Sequence, residues 1–531
     1  MNKLIQQTRR VILLLLFLLF IVGPTYSQTE FISDLNTYVE RAIQDWKIPG
    51  LAIAVVKDGS TLLAKGYGVR EFGKEAKVDE HTLFGIASNT KAFTTAALAI
   101  LVDEGKIDWD DAVIEHLPGF QMYDPYVTRE MTIRDLLTHR SGLGLGAGDL
   151  LFWPKTTYTR KEIIYRLRFI KPASSFRSKY AYDNILYLAA GEIIPAVTGK
   201  SWANFLKERI FTPLGMTSSN TSVREFLPGG NVVTPHVLVD GKLQPVSYMN
   251  IKNAAPAGAI NSCVSDMAKW LIVQLDSGLV RHPSNGKSRL FSSAQTKEMW
   301  SAETIIPIGD YPSPISSLKP NFSAYGLGWG LTDYHGYKLV SHGGVLLGMV
   351  SRVTMVPAQK LGIVVLTNQE ASEACQAISY YILDHYLGLS STDWISKFKE
   401  VERLREERIA KIEKAHKTAR VKNTNPSLDL SKYTGKYIDK WYGQMSIEPK
   451  GKKLVMRFSH SPYLVGDMEH WHYDTFVVRW HDRSLKADAY VTFSLNYEGC
   501  IKQVKMIPVS PQTDFSFDFQ DLVFKPVNEK K

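Results

Sequence analysis

A serine followed three residues later by a lysine is the smallest unit of this chain that could run acyl-transfer chemistry. In Phe84-Gly85-Ile86-Ala87-Ser88-Asn89-Thr90-Lys91 the pair Ser88 and Lys91 opens a stretch, Ser88 to Val102, rich in Ala and Leu and apolar enough to be a buried helix. Residues at i and i+3 share a helix face, so the lysine amine reaches the serine hydroxyl. A hydroxyl is a weak nucleophile until a base takes its proton, and an amine serves as that base only when burial or nearby cations pull its pKa down. The start of a helix also offers free N–H groups and positive potential where an oxyanion would form. The same spacing recurs at Ser284/Lys287, Ser316/Lys319 and Ser396/Lys399, but none of these opens an apolar helix, and they read as surface pairs.

Two further stretches carry usable chemistry. Tyr182-Asp183-Asn184 precedes the apolar run Ile185 to Val197, so a phenol and an amide are presented together at the start of a second helix. Tyr248-Met249-Asn250 repeats that spacing without such a helix and ranks lower. Ser341-His342-Gly343-Gly344 ends a β run, where two glycines let a substrate approach an exposed backbone edge.

The elements that must position these residues follow from periodicity. Residues 29 to 46 have helical spacing and stop at Pro49-Gly50. Leu51 to Val56 and Thr61 to Val69 are β-rich and joined by Asp58-Gly59, a hairpin signal. Helices are predicted near 132–138, 183–197 and 263–276. Strands follow at 338–342, 349–356 and 361–366, then a helix near 371–387. Strands at both ends with helices between imply an α+β fold: one antiparallel sheet flanked by helices and packed against a helical region. Residues 394–420 are dense in Lys, Arg and Glu and read as a solvent-exposed connecting helix. Short aromatic and β-branched runs after Leu428 predict a small all-β, barrel-like domain. The expected organisation is therefore 1–27, 28–390, 391–426 and 427–531.

The order S-x-x-K, Y-x-N, H-x-G, spaced by roughly ninety and one hundred and sixty residues, resembles the serine β-lactamase-related family of class C β-lactamases, D-peptidases and related esterases. The stretches Thr132 to Leu143, Pro256 to Ile260 and Tyr325 to Gly330 resemble that family's recurrent segments, so the likeness covers about residues 30 to 390. The tail from about 428 resembles a small β domain often appended to such hydrolases. The resemblance implies Ser88, Lys91, Tyr182 and His342 as catalytic residues. Ser88 would be acylated, Lys91 would hold or accept its proton, and Tyr182 would act with Lys91 as general base and return a proton to the leaving group. Asn184, Gly343, Gly344 and Val345 would bind substrate, with the N–H groups of Ser88 and Val345 forming the oxyanion hole. No metal or organic cofactor is implied. Where β-lactamases of this type carry Lys-Thr-Gly, this chain has His342-Gly343-Gly344, and a histidine is mostly neutral near pH 7. The departure favours an esterase, D-amino-acid peptidase or acyltransferase over an efficient β-lactamase.

Bulk properties set the context. A chain of 531 residues with 44% apolar and 22% charged residues is globular and long enough for more than one unit. Lys3, Arg9 and Arg10, the apolar run Val11 to Val22, and small residues around Ser27 read as a secretory signal peptide, so the mature protein is expected to be exported, periplasmic or secreted. Cleavage removes three positive and no negative charges, lowering the net charge from +10 to +7. The expected partner is a small-molecule or peptide substrate, cell-wall compounds included, and not nucleic acid; the oligomeric state is open. Cys263, Cys375 and Cys500 are too sparse for a disulfide framework. Rival readings are acyl transfer to an alcohol or amine, a non-catalytic wall-polymer or ligand-binding module, and metal hydrolysis through His460, His470, His472 and His481, which lack an H-E-x-x-H pattern.

Overall fold

The computed structural model describes residues 28–226, 229–282 and 286–527. The expected signal peptide, 1–27, and Ser284 of one surface pair lie outside them. No helix among the described residues is long and apolar enough to cross a membrane.

Helix α1 (Gln28–Trp46) leads into β1 (Gly50–Lys57) and β2 (Ser60–Gly68). Their turn is the two-residue Asp58-Gly59, both with positive φ of 52° and 77°, as a tight hairpin requires. The strands β3 (Thr304–Ile305), β4 (Ser323–Tyr325), β5 (Gly330–Tyr334), β6 (Tyr337–Leu346), β7 (Met349–Val356) and β8 (Leu361–Thr367) complete an eight-stranded sheet in the order β2-β1-β8-β7-β6-β5-β4-β3. Every ladder is antiparallel, and β1 lies beside β8, so the two ends of the segment meet in one sheet.

Alternate residues of the central strands face opposite layers. Leu51, Ile53 and Val55 meet α1 and α5 (Ser372–Tyr386), whose Phe31, Leu35, Ala374 and Ile378 are buried. Ala52, Ala54 and Val56 meet the helical layer. That layer holds α2 (Thr90–Asp103), α3 (Ile185–Thr198) and α4 (Val264–Leu275). Every residue of α2 from Thr90 to Leu101 is buried, so α2 is the central helix that its composition predicts.

Helix α6 (Trp394–Ala419) differs from a freely solvated connector. Its first turn is anchored because Trp394, Ile395 and Phe398 are buried on the α1/α5 side and Trp394 Nε1 donates to Asp384 at 2.8 Å. Ser396 accepts from Arg41 and donates to Asp393, while Lys399 pairs with Glu402, so this Ser/Lys pair does capping and surface work.

The tail folds into a second eight-stranded antiparallel sheet from β9 (Gly435–Asp439), β10 (Gly443–Lys450), β11 (Lys453–Phe458), β12 (Val465–His472), β13 (Thr475–Trp480), β14 (Ala489–Leu495), β15 (Ile501–Pro508) and β16 (Lys525–Pro526). The order is β15-β14-β13-β12-β11-β10-β9-β16, and the Val504–Phe524 bridge beside β16 brings the two edges together as a nearly closed barrel. Strand β12 is not predicted from sequence because Gly466, Asp467, Glu469, His470 and His472 mask its alternation. The barrel core and the helical-layer core form one continuous apolar cluster.

Candidate active site

Ser88 sits in a 3₁₀ turn, Ala87–Asn89, immediately before α2. Ala87 is held at φ 49°, a left-handed conformation that costs a non-glycine residue on the order of 1–2 kcal/mol. The turn is pinned to β7 from two sides: Ser351 Oγ donates to Ile86 O at 2.6 Å, and Asn89 Nδ2 donates to Ser351 Oγ at 2.8 Å.

Lys91 is fully buried and donates three hydrogen bonds, to Ser88 Oγ at 3.0 Å, Asn184 Oδ1 at 2.7 Å and the Ala257 carbonyl at 3.1 Å. Burial pulls its pKa from 10.5 down to about 7, with the carboxylate of Asp149 working in the opposite direction. A substantial neutral fraction near pH 7 gives the amine a lone pair, and the serine hydroxyl is the proton donor within reach.

Asn184 occupies the N-cap position of α3 but its side chain makes no cap hydrogen bond. Its amide is turned inward instead, and Nδ2 donates to Asp149 Oδ2 at 2.7 Å. Burial raises the Asp149 carboxyl to about 7, opposed by its bonds from Asn184 and Ser516. Ser516 Oγ, from the C-terminal domain, donates to Asp149 Oδ2 at 2.9 Å. Asp518 of the same segment accepts from the N–H groups of Gly148 (2.6 Å) and Leu150 (3.2 Å). One polar chain thus runs from Ser88 through Lys91, Asn184 and Asp149 into the second domain.

Tyr182 lines the same cavity as Ser88. Its hydroxyl is within hydrogen-bonding reach of Ser88, and burial pushes its pKa well above 10, so it stays a phenol at neutral pH. Lys91 Nζ stands 4.8 Å from the centre of the Tyr182 ring. His139 packs against the same ring at 4.2 Å and accepts from the Asp183 N–H through Nδ1 at 3.0 Å.

The expected H-x-G strand end is the last part of β6. The ladder to β5 stops at Gly330–Ser341, so residues 342–346 are paired on the β7 side alone. Gly344 faces the Ser88 turn so closely that a Cβ there would lie 2.5 Å from Ile86 O and 2.9 Å from Ala87 Cβ. Val345 is 52% exposed on this free edge. His342 is buried with both ring nitrogens engaged, Nδ1 with Gly343 O at 2.6 Å and Nε2 with Tyr325 Oη at 2.8 Å. A carbonyl only accepts, so Nδ1 carries the proton and the neutral Nε2 accepts from Tyr325. Burial and the nearby Lys91 drive the imidazole pKa to about 3. His342 is therefore a neutral, clamped group within this geometry.

A cavity of about 380 Å³ brings together Ser88, Tyr182, Asn184, His342, Gly343, Gly344 and Val345, walled by Phe152, Trp153, Ile251 and Phe515. Lys91 lies directly beneath it. The lower-ranked Tyr248 is partly buried outside the lining of this cavity, and the four tail histidines bond separately: His460 with Thr157, His470 with Tyr473 O, His472 with Val421 N and His481 with Asp467. Sequence reasoning does not find Asp149, Ser516, Asp518 or the Ala257 carbonyl. Ala257 lies in the quoted Pro256 to Ile260 stretch, but a backbone acceptor leaves no side-chain signal. Asp149 and Ser516 are brought together across 367 residues.

A serine in the turn that opens the central helix and a lysine in that helix's first turn, faced by a phenol, an amide and the free edge of an antiparallel sheet, make up a hydrolase-type site of the β-lactamase fold. The chain belongs to the beta-lactamase family, whose model matches residues 35–386. A family of unknown function, DUF3471, matches residues 419–526. Among curated relatives, an unguisins hydrolase of Aspergillus campestris is 29% identical over 78% of this chain and 77% of its own length. Protein flp of Staphylococcus aureus is 28% identical over 69% and 70%. The fold is similar to that of the octameric penicillin-binding protein homologue from Pyrococcus abyssi (TM-score 0.58, 22% identity, 93% of this chain and 99% of that one). It is also similar to the D-amino acid amidase from Ochrobactrum anthropi SV3 (TM-score 0.52, 23% identity, 70% and 99%).

Proposed function

We propose that the protein is an exported serine hydrolase that cleaves ester or amide bonds through an acyl-Ser88 intermediate. The observation that carries this reading is the buried Lys91 amine, with a pKa of about 7, bonded to Ser88 Oγ at 3.0 Å. Neutral Lys91 takes the hydroxyl proton as Ser88 Oγ bonds the substrate carbonyl carbon. The N–H groups of Ser88 and Val345 receive the oxyanion. The carbonyl–leaving-group bond then breaks, and the departing alcohol or amine takes a proton that Tyr182 passes on from Lys91. Water repeats the sequence in reverse and releases the acid.

The raised pKa of Tyr182 makes it a proton donor and relay and leaves the base role to Lys91, a narrower division of labour than the two acting together as base. A neutral His342 gives this edge no cation, which favours an ester, amide or D-amino-acid peptide over efficient β-lactam turnover. The names of the relatives, an unguisins hydrolase and a D-amino acid amidase, support amide-type or peptide substrates. The basic, apolar and small-residue order of residues 1–27 supports export.

Intact-mass spectrometry of the purified protein and its Ser88→Ala variant, after a fluorophosphonate probe and a panel of activated esters and penicillins, tests the mechanism. The expected result is one covalent adduct on the wild type and none on the variant. Folded wild type that reacts with no reagent would sink the acyl-enzyme reading in favour of a binding module.

A further inference from the structure

His139 holds the Tyr182 segment at three points. It lies just after the short helix Ile133–Leu137, within the Thr132 to Leu143 stretch. Its carbonyl accepts from the Ala181 N–H at 2.9 Å, and its ring Nδ1 accepts from the Asp183 N–H at 3.0 Å. The backbone N–H groups on both sides of Tyr182 therefore end on one residue. Between those bonds the imidazole lies against the Tyr182 ring, with centres 4.2 Å apart. The other rings beside Tyr182, those of Phe515 and His342, stand at 6.0 Å and 6.2 Å, so His139 makes the tightest of these ring contacts.

The imidazole is itself held in place. His139 is fully buried at φ 56°, a left-handed conformation that persists where surrounding contacts fix it. Tyr325 meets its ring edge-on at 4.5 Å, with Tyr187 and Tyr180 at 5.6 Å and 5.8 Å. A backbone N–H only donates, so Nδ1 is unprotonated and Nε2 carries the proton of the neutral ring. Nε2 is buried without a hydrogen-bond partner, and no hydrogen bond joins this ring to Ser88 or Lys91. Burial, with Lys91 and His342 nearby, keeps the imidazole well below its ordinary pKa, so the ring stays neutral and carries no proton for the reaction. What it offers Tyr182 is position.

We propose that His139 is a positioning residue for the acyl transfer, fixing the Tyr182 phenol where it can pass a proton to the departing group. The assignment rests on the acyl-Ser88 reading and deepens it. A tyrosine hydroxyl is placed by its backbone and its χ1 rotamer. The two hydrogen bonds fix the first and the ring contact restricts the second. Proton transfer to a leaving group needs that alignment, and a small displacement of the donor is costly.

Two esters with the same acyl group test this, because nitrophenolate leaves without a proton and ethoxide needs one. His139→Asn removes the ring, keeps an acceptor for the Asp183 N–H and tolerates the left-handed backbone. Its kcat/KM for ethyl butyrate should fall by on the order of ten- to a hundredfold, and that for p-nitrophenyl butyrate much less. In a Tyr182→Phe background the same substitution should add no further loss on ethyl butyrate. His139→Gln, which fills more of the ring's volume, takes its place should His139→Asn not fold. Equal losses on the two esters, no loss on either, or an undiminished loss in the Tyr182→Phe background would overturn the proposal. Fluorine NMR of protein carrying 3-fluorotyrosine at position 182 gives a readout independent of turnover. A resonance that shifts or broadens in the folded His139 variant supports the positioning role, and one identical to wild type rejects it. A shifted resonance in protein whose Ser88 no acylating reagent labels would reject the hydrolase reading alone.

Discussion

Lys91 is chemically useful because the fold withholds water from it. An exposed lysine keeps its proton at neutral pH, whereas the buried Lys91, at about 7, loses its proton as the pH rises through that value. In the proposed mechanism neutral Lys91 is the active form, so kcat/KM is expected to rise with pH up to about 7 and then level off. Asp149 works against burial, its charge holding the Lys91 pKa up. Asp149→Asn removes that charge while keeping an acceptor for Asn184 Nδ2, so the rising limb should move to lower pH. A limb that moves to higher pH, or stays in place, in the pH profile of kcat/KM would show that Asp149 does not set the Lys91 proton affinity. How much of this is legible in the sequence differs by residue. Ser88, Lys91, Tyr182 and Asn184 declare themselves by spacing next to apolar helices. Asp149 is one aspartate in a glycine-rich loop, and only tertiary contact gives it a role.

At the scale of elements, the site depends on how closely β6 approaches the turn before α2. Gly344 makes that approach possible. Gly344→Ala would put a methyl group 2.5 Å from Ile86 O and Ser351 Oγ, so strand and turn must separate. The expected outcome is a loss of about 1–3 kcal/mol in denaturant unfolding and a large fall in kcat. Gly343→Ala meets nothing within 4 Å and should unfold like wild type. Similar stability for both variants would show that the close contact is not what holds β6 in place. The strands themselves are readable from alternation and turn residues, as at Asp58-Gly59. Their order is less so, since the pairing of β1 with β8 joins residues about 310 apart in sequence.

At the scale of the molecule, the C-terminal barrel is built into the site. Ser516 and Asp518 reach the Asp149 loop, Phe515 walls the cavity, Arg166 donates to Trp441 O at 2.8 Å and the Tyr158 hydroxyl donates to Tyr442 O. Asp518→Ala leaves the buried N–H groups of Gly148 and Leu150 without an acceptor, at about 1–3 kcal/mol each. The variant is expected to lose stability in calorimetry and turnover in steady-state kinetics, because the loop that fixes Asn184 is loosened. Unchanged turnover in a destabilised Asp518→Ala protein would separate the barrel from the chemistry.

The sequence by itself determined the local features: helical and strand periodicity, the two-residue hairpin, the α+β plan with its β tail, and the serine, amine, phenol and amide that the site brings together. Each is written within a window of a few residues, where side-chain spacing and backbone preference act directly. The tertiary structure alone decided what depends on burial and on distant neighbours. It lowered the Lys91 pKa by desolvation, kept His342 neutral and clamped, and carried the Ser88–Lys91–Asn184–Asp149 hydrogen-bond chain into the second domain. Proton affinity and pairing are properties of surroundings, and those surroundings come from segments hundreds of residues apart.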